Sequence, residues 1–311
     1  MWFIFTICTI LAWSGSDLMS KMGSRPDDKL SHLKMLMAVG FVMGIHAIYQ
    51  VTIGGVSYDL HNFIAYMPIS ACYIISMMFG YIGLRYIELS ISSPICNSSG
   101  ALVALLCFVL LGDRMSPLAL VAVLLISFGI LFLAIIEKQE GEEARSLRAH
   151  PDDIKYERGF LAILFPVLYL IIDAMGTFLD GMFFDFQFPD WFYIGVTEDT
   201  VELVSNISYE FTFMIVGIIC AIYVLGIKKE KLSVERDKFK LFGACFETLG
   251  QFTYVFALSG NTIVAAPAIG SYTVFSVIWS HIFLKERLTK KQYFVVGMVL
   301  IGVIMLAFLD V

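Results

Sequence analysis

Three features of the sequence predict an all-α integral membrane fold of ten transmembrane helices arranged as two inverted five-helix repeats. The 311-residue chain is 59% hydrophobic and 15% charged, with a mean hydropathy of +0.81, whereas soluble domains hold roughly 45–50% apolar residues. Its apolar stretches come in lengths of about 20 residues, enough to cross a bilayer as helices. The second half repeats the layout of the first, and an odd number of spans per half makes the two copies enter the membrane from opposite sides.

The spans are drawn at 2–22, 34–54, 62–84, 91–112, 117–137, 159–184, 208–228, 239–259, 261–284 and 292–310. The first opens with MWFIFTICTILAWSG. It has no basic n-region and keeps its helical apolar spacing past Gly15, so it reads as a span rather than a cleaved signal. The second carries a lone histidine, His46, at its middle. The third contributes Tyr73 and Tyr81, and the fourth carries Pro94 followed by Asn97, Ser98 and Ser99. After the fifth, the run EKQEGEEARSLRAHPDDIKYERG has the dense mixed charge of a solvated connection. Spans six and eight hold acids at central depth, and span nine repeats the proline with Pro267 followed by Ser271, Tyr272 and Thr273. Cys8, Cys72, Cys96, Cys107, Cys220 and Cys245 all fall within spans, which suits small polarizable core residues better than a disulfide framework or a metal site. No metal or cofactor is expected.

The cations set an orientation. Of the 21 Lys and Arg residues, 20 flank odd-numbered loops, from Lys21, Arg25, Lys29 and Lys34 in the first to Lys285, Arg287, Lys290 and Lys291 in the last. Only Arg114 lies on the other side. The positive-inside rule then places the odd loops in the cytoplasm and both chain ends outside a cell membrane.

An offset of 173 positions lays ACYIISMMFGYIGLRY (71–86) on ACFETLGQFTYVFALS (244–259), SSPICNSSG (92–100) on AAPAIGSYT (265–273) and LGDRMSP (111–117) on LKERLTK (284–290). Tyr81 meets Tyr254, Pro94 meets Pro267, Ser98 meets Ser271 and Gly129 meets Gly302. An offset of 156 brings Asp17 to Asp173, so about 17 extra residues belong to the second half. Their natural place is 185–208, DFQFPDWFYIGVTEDTVELVSNIS. That segment has no Lys or Arg, and it suits either an acidic external vestibule or aromatic packing at the interface. The expected organisation is a first repeat over 1–137, a cytoplasmic linker over 138–158 and a second repeat over 159–311. Inverted repeats of this kind place the substrate site near the midplane.

WSGSDLMSK in span one, SSPICNSSG with LLGDRMSP, and the second copy AAPAIGSYT with FLKERLTKKQ resemble the EamA branch of the drug/metabolite transporter superfamily. The resemblance covers nearly the whole chain apart from 185–208. It implies a ten-helix transporter whose central cavity is lined by helices one to four and six to nine, and a solute drawn from a wide range that includes amino acids, sugar phosphates, nucleotide sugars, choline and drugs. Many members of that family are described with both ends in the cytoplasm, and here the charge count says the reverse.

A carboxylate near the hydrocarbon centre is costly unless paired, protonated or wet, which marks it as a functional candidate. Glu247 and Asp173 qualify by depth. Asp17, nearer the cytoplasmic end of its span, could pair with Lys21 one turn on. A carboxylate that must choose between a proton and a substrate cation is a coupling device. Gln251 and Tyr254 share the face of Glu247. Tyr73 and Tyr81, with Trp13, Tyr169, Tyr272 and Trp279, offer aromatic walls suited to an amine by cation–π contact; ordinary packing is the competing use of each. Asn97, Ser98 and Ser271 place polar groups after the two prolines, where a freed backbone carbonyl is also available.

The sequence lacks HExxH, GxSxG and a paired YD…GxGD arrangement, so nothing points to an enzyme, and GxxxxGK[ST] is absent, so transport would draw on a gradient or on exchange. The expectation is a secondary transporter of a small polar or cationic metabolite, proton-coupled in exchange or efflux. Choline-like uptake by facilitated diffusion and a non-transporting membrane sensor or assembly protein are the alternatives. The expected partners are a small-molecule substrate and the lipid bilayer, with a homodimer admitted and no nucleic acid.

Overall fold

The structure is a computed structural model that describes residues 1–24, 28–84, 89–148, 160–284 and 289–307. Arg25, Arg85, Lys285, Arg287 and the linker residues 149–158 lie outside the described residues. The helices, in chain order, are α1 (Trp2–Gly23), α2 (Ser31–Thr52), α3 (Leu60–Gly83), α4 (Leu89–Asn97), α5 (Ser99–Leu106), α6 (Pro117–Arg148), α7 (Phe160–Phe184), α8 (Val201–Ala221), α9 (Val234–Gly260), α10 (Thr262–Gly270), α11 (Tyr272–Phe283) and α12 (Lys290–Ala307). No strand occurs among the described residues. Eight helical segments are long and apolar enough to cross a membrane, and 117–132 and 293–306 add two shorter apolar ones. With no water in the hydrocarbon to take up backbone polar groups, helices that satisfy them internally are what such a composition can form. The protein is therefore multi-pass.

Two boundaries differ from the expected ones. α6 runs on to Arg148, so the start of the linker is helical; Glu, Gln, Lys, Arg, Ala and Leu dominate EKQEGEEARSLR, and all are strong helix formers. α8 begins at Val201, which shortens the inserted loop to 185–200. Glu202 sits in its first turn, where the helix dipole favours a carboxylate. A short 3₁₀ turn, Asp190–Tyr193, folds within the loop.

Both prolines of the repeat sit inside short helices, and the chain breaks after each at corresponding positions. Ser98 separates α4 from α5, and Ser271 separates α10 from α11. At both breaks the backbone tightens to three-residue hydrogen bonds, Ser98 N–H to Ile95 and Ala101 N–H to Ser98 in one, Ser271 N–H to Ala268 and Val274 N–H to Ser271 in the other. Gly100 lies against the Ala266 backbone and Gly270 against the Asn97 carbonyl, so α5 and α10 cross with their backbones close together. Gly129 and Gly302 serve the same purpose where α6 meets α12.

The remaining helices pair as α1 with α9, α3 with α7, and α2 with α8. Small residues make the α2–α8 approach: a Cβ on Gly40 would stand 2.4 Å from the Phe213 carbonyl oxygen and 2.8 Å from Gly217 Cα. At one end of the molecule the α1–α2 turn is tied to the start of α9. Lys240 reaches the Gly23 carbonyl at 2.8 Å and Asp237 at 2.9 Å, while Lys34 meets Asp28 at 3.1 Å.

Gly112 follows a π-helical turn, Cys107–Leu111, with φ 74° and no atom near enough to meet a Cβ. Gly112→Ala therefore tests the backbone alone. It should cost about 1 kcal/mol, read as a small fall in the unfolding midpoint of the purified protein.

Candidate functional site

A cavity enclosing about 700 Å³ of empty space, its mouth included, lies between α1, α3, α4, α7, α9 and the start of α11. Asp17, Asp173 and Glu247 all line it. Each acid stands on one helix and is held by hydroxyls from others. Asp17 Oδ2 accepts from Ser93 on α4 and Ser276 on α11, both at 2.7 Å. Asp173 accepts from Ser99 on α5 at 2.8 Å and Ser76 on α3 at 3.5 Å. Glu247 Oε2 accepts from Ser16 on α1 at 2.7 Å, and Ser16 also reaches the Gly243 carbonyl. The pairing of Asp17 with Lys21 gives way to these serines, because Asp17 points into the bundle while Lys21 Nζ donates to the Leu84 carbonyl at 3.2 Å.

Aromatic rings close the sides. Trp13, Tyr73, Tyr81, Tyr169 and Tyr272 all line the cavity, joined by Tyr209. Trp13 packs 5.0 Å from Tyr254 and 5.7 Å from Tyr272, centroid to centroid. It can sit there because α9 has Gly250 beneath it, where a Cβ would lie 2.2 Å from the indole. A smaller compartment continues inward past Asp173, with Asn97, Thr177 and Tyr254 in its wall. Gln251 faces the main cavity.

Other expected residues are placed elsewhere. Ser98 donates to the Pro94 carbonyl at 2.8 Å, one turn back, and lines neither compartment. Ser271 is buried at the matching break and also lines neither. Trp279 donates to Ser14 at 3.0 Å, a bond that ties α11 to α1. His46 lies off the cavity, its Nδ1 at 2.7 Å from Glu210 of α8 and its ring against Phe252.

Two buried acids were not singled out from the sequence. Asp180, wholly buried, accepts from Tyr66 at 2.6 Å and Tyr73 at 3.2 Å, and Tyr73 also meets Tyr254 at 2.7 Å. This network lies beyond the inner compartment. Asp180 stands seven residues after Asp173, hence on the same helical face, and that spacing was the available signal. Glu210 is equally buried. Hydropathy alone starts span seven at 208, which leaves the residue at the edge of its span, whereas α8 begins at Val201 and carries it inside.

The loop over 185–200 packs ring on ring, with Trp191 and Phe192 4.0 Å apart, Phe186 and Tyr193 4.7 Å apart, and Tyr193 against Phe183 of α7. His61 of α3 bonds the Trp191 carbonyl. Asp185, at the start of this loop, has its carboxyl held above the usual range by burial and by the neighbouring charge of Asp113. Aromatic packing thus describes most of the segment.

The model of the EamA-like transporter family matches residues 192–308, a stretch that includes α8 to α12. This match supports membership of the EamA/DMT superfamily. EamA proteins are in general membrane transporters rather than enzymes. Among curated proteins none matches. Of solved structures, 28 chains match. One, described only as "Crystal structure of protein", superposes with a TM-score of 0.62 at 12% identity, covering 99% of this chain and 96% of that one. At that identity the likeness speaks for the fold alone.

Proposed function

We propose that the protein is a secondary active transporter that moves a small polar or cationic metabolite across the cell membrane by alternating access, with proton-coupled exchange or efflux. The observation that carries this reading is the set of three carboxylates on one cavity, held by hydroxyls and by no described lysine, arginine or histidine of its lining. Such acids are compensated by a bound cation or by protons, and exchanging one for the other is the elementary step of coupling. Two inverted five-helix repeats, 1–137 and 159–311, supply the two-state frame. The matching breaks at Ser98 and Ser271, and the self-pairing of α2 with α8 and of α6 with α12, support that arrangement. The cation asymmetry supports termini outside and the 138–158 linker in the cytoplasm.

The test is transport in proteoliposomes carrying an internal pH-sensitive dye, challenged with amines, amino acids, nucleosides and sugar phosphates. Glu247→Gln and Asp173→Asn should each lower the flux of the transported solute about tenfold, which corresponds to about 1.4 kcal/mol, and should abolish the linked proton movement. Wild-type flux and proton movement in both variants would remove the coupling role while leaving the fold reading in place.

A further inference from the structure

We infer that the central cavity is built for an aliphatic amine carrying two or more separated ammonium groups, rather than for a single-charge cation or an anion. This rests on the transporter reading and sharpens its substrate class.

The first argument is charge. Asp17, Asp173 and Glu247 line one space, and no lysine, arginine or histidine lines it among the described residues. An anionic solute would meet these carboxylates with no described cationic side chain in the lining to offset the repulsion. The second argument is spacing. The three acids stand on three different helices, α1, α7 and α9, around one space, and among the described residues no group of three or more acids, histidines or cysteines is placed to hold one metal ion. A single point charge therefore does not meet all three carboxylates at contact distance. Positive centres spread along a chain serve more than one.

The third argument is unused hydrogen bonding. Both bonds to Asp17 fall on Oδ2, and the bond to Glu247 falls on Oε2. Asp17 Oδ1 and Glu247 Oε1 have no donor among the described residues. Beside them, Gln251 is 2% exposed and Tyr81 6% exposed, and Gln251 Nε2 and the Tyr81 hydroxyl have no hydrogen-bond partner among the described residues. Buried polar groups left open in this way are rare and carry a cost of their own. An N–H-bearing cation can donate to the free carboxylate oxygens and to the Tyr81 oxygen; a quaternary ammonium has no N–H to give. Between the charged ends, Trp13, Tyr169 and Tyr272 supply faces for methylenes and for cation–π contact.

The experiment uses the purified full chain and ligand-induced thermal stabilisation near neutral pH. The probes are 1,4-diaminobutane and spermidine, with butylamine, choline and butane-1,4-diol as matched controls. We expect 1,4-diaminobutane to reach half-maximal stabilisation at a concentration about tenfold lower than butylamine does. Asp17→Asn and Glu247→Gln, which keep side-chain shape, should bring the diamine down to the level of butylamine. Equal potency of butylamine, choline and the diamine on wild type would overturn the diamine assignment and leave the cationic transporter standing. Stabilisation by butane-1,4-diol equal to that by the diamine would overturn both. A diamine effect unchanged in both variants would overturn the role of these two acids. Because the wild-type ranking alone decides the first two outcomes, the inference is testable even if a variant fails to fold.

Discussion

Gly40→Leu is expected to be among the most destabilising single changes in the molecule. The glycine sits where α2 crosses α8, and a Cβ there would meet the Phe213 carbonyl oxygen at 2.4 Å and Gly217 Cα at 2.8 Å. Those are backbone atoms, so no rotamer change can relieve the contact, and the two helices must move apart. In a membrane, helix association rests on close van der Waals packing rather than on a hydrophobic driving force, and so separation forfeits most of the pair's attraction. Overpacking typically costs 1–3 kcal/mol, and with backbone on the receiving side we expect about 3 kcal/mol. Met43 and Val39, wholly buried on the same helix, would lose contacts as well. Gly40→Ala should show a smaller effect in the same direction, and Gly226→Ala, at a position with nothing within 4 Å, should show almost none beyond its local backbone effect. Thermal unfolding of the three variants in one detergent checks the order. Unfolding of Gly40→Leu at the wild-type midpoint would mean that α2 and α8 stand further apart than described.

Much of this architecture was legible because the bilayer simplifies the rules. A segment of about 20 apolar residues has few alternatives to a helix in lipid, and every drawn span overlaps a helix. The helix ends were less legible. Glu202 looks like loop when read for hydropathy, yet it is a favourable first-turn residue. The site was readable in its acids and its rings, since a charge at membrane depth stands out against an apolar background. It was less readable in its hydroxyls. Ser98 and Ser93 lie five residues apart on the same proline-bearing segment, yet one bonds back to its own helix and the other reaches Asp17. Sequence spacing cannot separate these, because the direction of the side chain depends on how α4 is turned against α1. His46 illustrates the same limit: it is visible alone, but its pairing with Glu210 at 2.7 Å depends on the crossing of α2 with α8.

Asp180→Leu should destabilise the protein by about 2–4 kcal/mol, whereas Asp180→Asn should cost less than about 1 kcal/mol. The carboxylate is wholly buried and takes hydroxyls from Tyr66 at 2.6 Å and Tyr73 at 3.2 Å. Leucine is similar in size but accepts nothing. Tyr73 would keep Tyr254 at 2.7 Å and Thr177 at 3.2 Å, so its loss is partial. Tyr66, by contrast, has Asp180 as its described hydrogen-bond partner, and its hydroxyl would be left buried and unpaired. Asparagine retains an oxygen for Tyr66 and turns an amide toward Tyr73, whose own hydroxyl can accept it. A double-mutant cycle separates these contributions: Tyr66→Phe should cost about 1 kcal/mol in the wild type and should recover about 1 kcal/mol once residue 180 is leucine, because it removes the unpaired hydroxyl. Additive costs would show that Tyr66 and Asp180 do not act as a pair. Because this network joins α3 to α7 and α9 immediately beyond the inner compartment, the same variants report whether that end of the cavity is held shut by these bonds. Asp180→Leu should then admit small polar thiol reagents to a cysteine placed at Thr177, and Asp180→Asn should not.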